Sequence, residues 1–163
     1  MKPISKRLFS IILALMVFSL ITGEVQAADN GGWDDSLVVS VESADYMDLD
    51  NDLVDDDILT EFSITVPSGD WDFQHTYVYC ELVLPSGCYY NCLILLIGTY
   101  SSVTISLAWY NTATESGWYT FTLWSWGEGF NAPDLGSDSV VFDPPTEKVP
   151  GLPGLEIIDI IAE

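Results

Sequence analysis

Residues 58–66 read Ile-Leu-Thr-Glu-Phe-Ser-Ile-Thr-Val, and the mainly apolar positions fall on every second residue from Ile58 to Val66. The positions between them are mainly polar. Because successive side chains of a β-strand point to opposite faces of the sheet, this alternation predicts a strand with one buried and one mainly polar face. A Pro-Ser-Gly-Asp turn signal follows directly at residues 67–70.

Runs of the same kind lie on both sides of this strand and are separated by residues that favour turns. None of them has the periodicity of a helix. Seven short strands at regular spacing predict an all-β fold, and we assign residues 28–143 to a single antiparallel β-sandwich. The other predicted strands are residues 37–41, 76–84, 88–97, 103–109, 118–126 and 139–142.

The N-terminus has the composition of a secretory signal peptide. Three basic residues lie within the first seven positions, the apolar residues 8–21 follow, and residues 25–27 form a small-x-small cleavage site. We therefore expect residues 1–27 to be removed and the protein to be extracellular, without a membrane span. The alternative is a retained anchor, although the apolar stretch is shorter than the roughly 20 residues that a spanning helix needs.

The charge of the chain is strongly negative. It has 25 acidic and 4 basic residues, and removal of residues 1–27 would leave Lys148 as its one basic side chain. Nucleic acids and anionic membrane surfaces are excluded as partners, because binding to their phosphates needs clustered Lys and Arg side chains. A charge of this sign favours solubility and the accumulation of cations outside the cell.

The segment directly before the opening strand is the most acidic part of the chain. Residues 45–57 read Asp-Tyr-Met-Asp-Leu-Asp-Asn-Asp-Leu-Val-Asp-Asp-Asp, with seven carboxylates in thirteen residues. Like charges at that density repel, so a folded loop here needs either full solvation or a bound cation. The alternation of Asp48, Asp50 and Asp52 aims oxygen ligands at one centre, as a calcium loop requires. A solvated acidic linker is the alternative.

This segment resembles the Asp-x-Asp-x-Asp-Gly calcium loops of EF-hands, dockerins and thrombospondin type 3 repeats, over about a dozen residues. By that resemblance the calcium ligands are Asp48, Asp50, Asp52 and, at the ninth and often water-bridged position, Asp56. The sixth position, glycine in those loops, is Leu53, and the twelfth, a glutamate in EF-hands, is Leu59. Since no helix signal flanks the segment, we exclude an EF-hand and expect a structural calcium loop between two strands.

Residues 115–123 read Glu-Ser-Gly-Trp-Tyr-Thr-Phe-Thr-Leu and resemble the penultimate strand of immunoglobulin-like and fibronectin-type domains. The resemblance implies that Tyr119 is a structural tyrosine of the core or of a strand corner. It also implies an immunoglobulin-like domain, a frequent module of bacterial and archaeal surface proteins.

Three tryptophans share one face of the same predicted strand. If the face of Tyr119 is core, Trp118, Trp124 and Trp126 lie on the outer face. Exposed aromatic rings bind sugars or proteins, and a calcium-bearing sandwich with such a face resembles carbohydrate-binding modules. The alternative is that the indoles pack under the loop 127–136 or under the C-terminal tail.

Three cysteines lie in one predicted hairpin, at positions 80, 88 and 92. With residues 85–87 as its loop, Cys80 lies directly opposite Cys92, and their Cβ atoms come within about 4.5–5.5 Å, near the range of a disulfide. Secretion permits that bond. Cross-strand disulfides are strained and both residues share an apolar face, so buried free thiols are the alternative. Cys88 is either inert or forms an intermolecular bridge.

The C-terminal part of the chain divides into a linker and a tail. Residues 144–154 contain four prolines and predict a stiff, extended linker. Residues 155–163 are mostly apolar and too short to span a bilayer. Because an unpartnered apolar strand promotes aggregation, we expect this tail to add as an edge strand to its own sandwich or to be donated to a neighbouring molecule.

Catalysis has the least support among the function classes. His75 is the one histidine of the chain, no Gly-x-Ser-x-Gly motif is present, and the carboxylates cluster in a loop. We therefore predict a non-catalytic, secreted cell-surface module for adhesion or envelope structure, with a structural calcium ion and with other surface proteins or glycans as partners. The alternatives are a carbohydrate-binding module and a self-assembling subunit that donates residues 155–163.

Overall fold

The computed structural model describes residues 13–15, 37–66, 74–128, 135–144 and 151–163. These ranges contain β-strands, turns and bends, and none of their residues is helical. A helix long and apolar enough to cross a membrane is accordingly not found among them. The strands are β1 (Leu13–Leu15), β2 (Val38–Met47), β3 (Asp57–Thr65), β4 (Gln74–Val83), β5 (Tyr89–Gly98), β6 (Ser102–Tyr110), β7 (Tyr119–Glu128), β8 (Gly136–Phe142) and β9 (Gly154–Ala162).

The strands form two antiparallel sheets, which confirms the predicted β-sandwich. One sheet has the order β1-β5-β4-β7-β8 and the other has the order β2-β3-β6-β9. The apolar side chains of the alternating strands face each other between the sheets, and the outward positions are partly exposed or exposed. The alternation read from residues 58–66 therefore gives the correct buried face, since Ile58, Phe62 and Ile64 are completely buried.

Aromatic rings join the two sheets at the centre of the core. The ring of Phe121 in β7 lies 6.1 Å from Phe62 of β3 and 6.0 Å from Trp109 of β6, measured between centroids. The indole Nε1 of Trp109 donates a hydrogen bond of 3.0 Å to Thr60 Oγ1, so the buried polar end of the ring is satisfied. These contacts hold the end of β6 against the start of β3. The acidic β2–β3 connection, residues 48–56, leads directly into this start of β3.

Tyr119 is completely buried at the start of β7. Its hydroxyl donates to the carbonyl oxygen of Glu115 at 3.0 Å and accepts from the backbone N–H of Glu115 at 2.7 Å. This is the structural role that the sequence resemblance implied for Tyr119.

Strand β2 is longer than the predicted strand 37–41. It runs to Met47, after a register shift between Val41 and Ser43 that reads as a β-bulge. Beyond the shift it pairs again with β3, and Met47 lies opposite Asp57. The prediction that the whole of 45–57 is a loop was therefore wrong, because pairing with β3 draws its first three residues into the sheet.

The hairpin of β4 and β5 has the predicted register. Cys80 lies directly opposite Cys92, and Gly87 in the connecting turn adopts a φ of 84°, which glycine tolerates best. Both opposed cysteines are buried free thiols, and Cys88 is exposed. Burial, followed by the hydrogen bond with Cys92, raises the pKa of the Cys80 thiol well above its ordinary value.

The C-terminal tail forms β9, which pairs with β6 of the same chain. Its last residue continues the ladder, since Glu163 N donates to Ser102 O at 2.9 Å and Ser101 N donates to Glu163 O at 2.7 Å. The expected C-terminal strand is confirmed, in the arrangement in which it adds to its own sandwich. The expected signal peptide, apart from residues 13–15, and linker residues 145–150 lie outside the described residues.

One lateral side of the sandwich is closed by β2 and β8. The carboxylate Oδ2 of Asp138 accepts a 2.8 Å hydrogen bond from Val41 N, beside the bulge. Gly136 approaches so closely that a Cβ there would lie 2.3 Å from the carbonyl oxygen of Leu37. A backbone atom cannot move aside as a flexible side chain can, so only glycine fits at position 136 in the contact between β2 and β8.

We expect Gly136→Ala to lower the free energy of unfolding by about 1–3 kcal/mol, the usual cost of forcing an extra carbon into a packed site. Urea denaturation of the two proteins measures the change. Gly154→Ala is the matched control, because a Cβ there meets ring atoms of Tyr110 at an ordinary 3.4 Å. Equal stability of the two variants would contradict this close contact between Gly136 and Leu37.

Candidate metal centre

The β2–β3 connection, residues 48–56, places three of the predicted ligands together. One carboxylate oxygen from each of Asp48, Asp50 and Asp52 lies within 4.8 Å of the others. Backbone N–H groups hold these side chains inward: Asp52 N donates to Asp48 Oδ1 at 3.0 Å and to Asp50 Oδ1 at 3.1 Å. Leu53 N donates to Asp48 Oδ2 at 3.0 Å. The alternation of aspartates thus produces the convergence that the sequence predicted.

The sharp turn needed at the sixth loop position is present although that residue is leucine. Leu53 has a φ of 75° and Asn51 has a φ of 64°, both in the left-handed region. For leucine this conformation costs about 1–2 kcal/mol. Its side chain is 90% exposed, so burial does not offset the cost. The departure from glycine at this position therefore does not prevent the loop geometry.

Asp57 fastens the loop to the sheet. It is completely buried, and its Oδ2 accepts hydrogen bonds from Leu49 N at 2.7 Å and Asp50 N at 3.1 Å. Its Oδ1 accepts from Asn111 N at 2.7 Å. Each oxygen thus accepts at least one backbone hydrogen bond, and Asp57 connects the loop to the end of β6.

Asp56 has the opposite environment. It is also completely buried, yet neither carboxylate oxygen has a hydrogen-bond partner. Burial, with the nearby charges of Asp52, Asp57 and Asp50, raises the pKa of Asp56 from its ordinary 3.8 to about 6. Its backbone cannot withdraw, because its carbonyl oxygen accepts from Thr112 N and Ala113 N at 3.0 and 2.8 Å. An unpaired buried carboxylate is unfavourable by several kcal/mol unless it is protonated or binds a cation.

Asn111 contributes a side chain from outside the loop. It follows β6 with a φ of 53°, and only 5% of it is exposed. Its Nδ2 lies 3.4 Å from Asp50 Oδ2, and its Oδ1 has no hydrogen-bond partner. The sequence analysis missed Asn111, because only the folded sheet brings the end of β6 to the acidic loop. It included Asp57 among the seven carboxylates of the segment, without the hydrogen bonds that give it its structural role. Leu59, at the twelfth loop position, lies in β3 opposite Asp45 and supplies no ligand.

The predicted tryptophan face is divided by the structure. Trp124 and Trp126 are partly exposed on the outer face of β7, and Trp118 precedes the strand and is 66% exposed. Trp124 packs against Tyr79 with a centroid distance of 5.6 Å, and Trp126 stacks on Tyr77 at 5.5 Å. Packing under the C-terminal tail was a wrong expectation, because β9 belongs to the other sheet. Most of the loop 127–136 lies outside the described residues.

His75 lies in β4, opposite Glu128 of β7, and is partly buried.

The chain matches no protein-family model, no curated protein and no solved structure.

Proposed function

We propose that this protein is a secreted, non-catalytic cell-surface module whose β2–β3 loop holds a structural calcium ion. The observation that carries the proposal is the convergence of Asp48, Asp50 and Asp52. Asp56 is not one of these three aspartates, but its buried carboxylate has no hydrogen-bond donor and is repelled by the charges of Asp52 and Asp50. A cation supplies the positive charge that these groups lack, and their irregular, all-oxygen arrangement suits calcium better than magnesium, which requires a near-octahedral shell. Calcium sites of extracellular modules are weak, with Kd values of about 10⁻⁴–10⁻³ M.

The strand order supports an immunoglobulin-like assignment. In chain order, β2-β3-β6 and β4-β7-β8 correspond to strands A-B-E and C-F-G of an immunoglobulin domain, and β5, beside β4, has the position of strand C′. Strand β9 lies beside β6, where a constant-type immunoglobulin domain has strand D. Such a module acts in adhesion or envelope structure, through contacts with other surface proteins.

Thermal unfolding in EDTA and in millimolar calcium tests the ion. We expect calcium to raise the Tm, because a ligand that binds only the native state stabilises it by mass action. Magnesium at the same concentration should have a smaller effect. In Asp50→Asn, which removes one convergent carboxylate, the calcium response should disappear. A wild-type Tm that is identical in EDTA and calcium contradicts the proposal.

A second candidate function is the binding of neutral glycans to the outer face of β4 and β7. The two aromatic pairs, Tyr77 with Trp126 and Tyr79 with Trp124, favour it, since they are fixed and partly exposed. Carboxylates lie beside both pairs: Tyr77 Oη donates to Glu128 Oε2 at 2.6 Å, and Tyr79 Oη donates to Glu81 Oε2 at 3.2 Å. Glycan-array binding that Trp124→Ala removes and Trp118→Ala retains would support it, and no signal on any glycan would dismiss it.

Self-assembly through residues 155–163 requires β9 to leave β6 and pair with a second copy. Light scattering over a range of concentrations tests this, with the chain lacking residues 155–163 for comparison. Multimers that form only with the tail present support donation, whereas monomers in both cases contradict it.

A further inference from the structure

The C-terminal segment lies directly against the side chain of Asn111. A Cβ at Gly151 would stand 2.0 Å from Asn111 Oδ1, 2.4 Å from its Cγ and 2.6 Å from its Nδ2. Shortly afterwards Gly154 pairs with Tyr110, the residue before Asn111, and Tyr110 Oη donates to Glu156 Oε2 at 2.9 Å. The segment therefore covers the amide of Asn111 and confines it beside the acidic loop.

The confined amide is incompletely satisfied. Its Oδ1 is buried without a donor, which is unfavourable for a polar group, while its Nδ2 donates to Asp50 Oδ2 at 3.4 Å. A half-turn about the Cβ–Cγ bond exchanges the positions of oxygen and nitrogen without moving the backbone. The oxygen would then face the carboxylate of Asp50, where an amide oxygen is a good ligand for calcium.

We infer that Asn111 provides a neutral oxygen ligand to the cation from outside the loop, and that the C-terminal segment at Gly151 holds this ligand in place. The inference rests on the calcium site proposed above. Asn111 replaces the closing ligand that Leu59, at the twelfth loop position, cannot supply. The ion and the docked segment 151–163 then stabilise each other, because coupling between two binding events is reciprocal.

Calcium titration of the full chain by calorimetry tests the ligand. Asn111→Gly removes the amide and accepts the positive φ of this position, so its fold is preserved. We expect its calcium affinity to fall about 10-fold to 100-fold, the range for groups that position or complete a metal site. Asn111→Asp adds a charged oxygen at the same place, and we expect it to bind calcium more tightly than wild type and to melt lower in EDTA.

Gly151→Ala tests the role of the C-terminal segment. Its Cβ displaces the amide of Asn111, so we expect calcium affinity to fall about tenfold. Gly154→Ala, three residues along the same segment, meets only ordinary contacts and should bind calcium within about twofold of wild type. Hydrogen exchange gives a second readout: calcium should slow exchange of the β9 amides in wild type and in Gly154→Ala, and much less in Gly151→Ala.

The outcomes separate this inference from the proposed function. If wild type binds no calcium, the proposed site itself is wrong. If wild type binds calcium and both Asn111→Gly and Gly151→Ala bind it equally well, the site stands and the inference is overturned. If Asn111→Gly binds weakly and Gly151→Ala normally, Asn111 is a ligand but the link to the C-terminal segment is refuted.

Discussion

In calcium-free buffer at neutral pH, replacement of Asp56 by asparagine should raise the stability of the protein, and in calcium it should lower it relative to wild type. Without an ion, the Asp56 carboxylate is buried, unpaired and close to Asp52, Asp57 and Asp50, and its pKa rises to about 6. Asparagine removes the charge and with it the repulsion from these neighbours. Because one pKa unit corresponds to about 1.4 kcal/mol, the gain is at most about 3 kcal/mol.

In calcium, the same substitution removes a carboxylate that we propose as a ligand of the ion, so the stabilisation by calcium should be largely lost. Denaturant unfolding of both proteins, in EDTA and in calcium, measures this change of sign. Asp55→Asn is the matched control, because Asp55 is the adjacent residue, carries the same charge and is exposed. It should change stability by less than about 0.5 kcal/mol in either buffer, as surface substitutions usually do. Loss of stability in EDTA for Asp56→Asn would contradict this environment of Asp56.

The second large effect concerns pH. In the cation-free folded protein Asp56 keeps its proton up to about pH 6, whereas in the unfolded chain it loses the proton near its ordinary pKa of 3.8. Between these values the folded state binds more protons, so the free energy of unfolding falls as pH rises. The free energy of unfolding is therefore higher at low pH, where Asp56 is protonated, than at neutral pH. This difference is at most about 3 kcal/mol, and it is lost as pH rises through about 6.

Calcium should reverse this dependence, because it binds the deprotonated carboxylate and competes with the proton. We therefore expect Tm in EDTA to decline between pH 4 and 6.5 (about the window set by the two pKa values), and the stabilisation by calcium to grow over the same range. Asp56→Asn should show a smaller decline in EDTA. A wild-type Tm in EDTA that rises steadily across this window would show that Asp56 is not held in the protonated form.

The sequence predicted the sandwich well because its strands have a local signal. The alternation in residues 58–66 identified the buried Phe62 and Ile64, and the loop 85–87 fixed the pairing of Cys80 with Cys92. The extension of β2 to Met47 was missed, because acidic residues have low strand propensity and only pairing with β3 overrides it. The sequence predicted a strand at the C-terminus, but only the structure shows that this strand pairs with β6.

The candidate metal centre could be predicted from the sequence only where its residues are close together along the chain. Asp48, Asp50 and Asp52 are neighbours along the sequence, and their convergence follows from their spacing. Asp56 and Asp57 are adjacent and chemically identical, yet one is unpaired and the other accepts three backbone hydrogen bonds. Asn111 reaches the loop through the pairing of β3 with β6, and no local pattern marks it. Tertiary contacts, not composition, separate these roles.

Calcium titration into the cation-free wild-type protein, followed by calorimetry at neutral pH, tests the central claim most directly. We predict one calcium ion per chain, with a Kd of about 10⁻⁴–10⁻³ M, the range proposed above for this site. Asp50→Asn should lose this binding, and Asp55→Asn should retain it. A wild-type titration without binding, or binding that is equal in Asp50→Asn, would contradict the account.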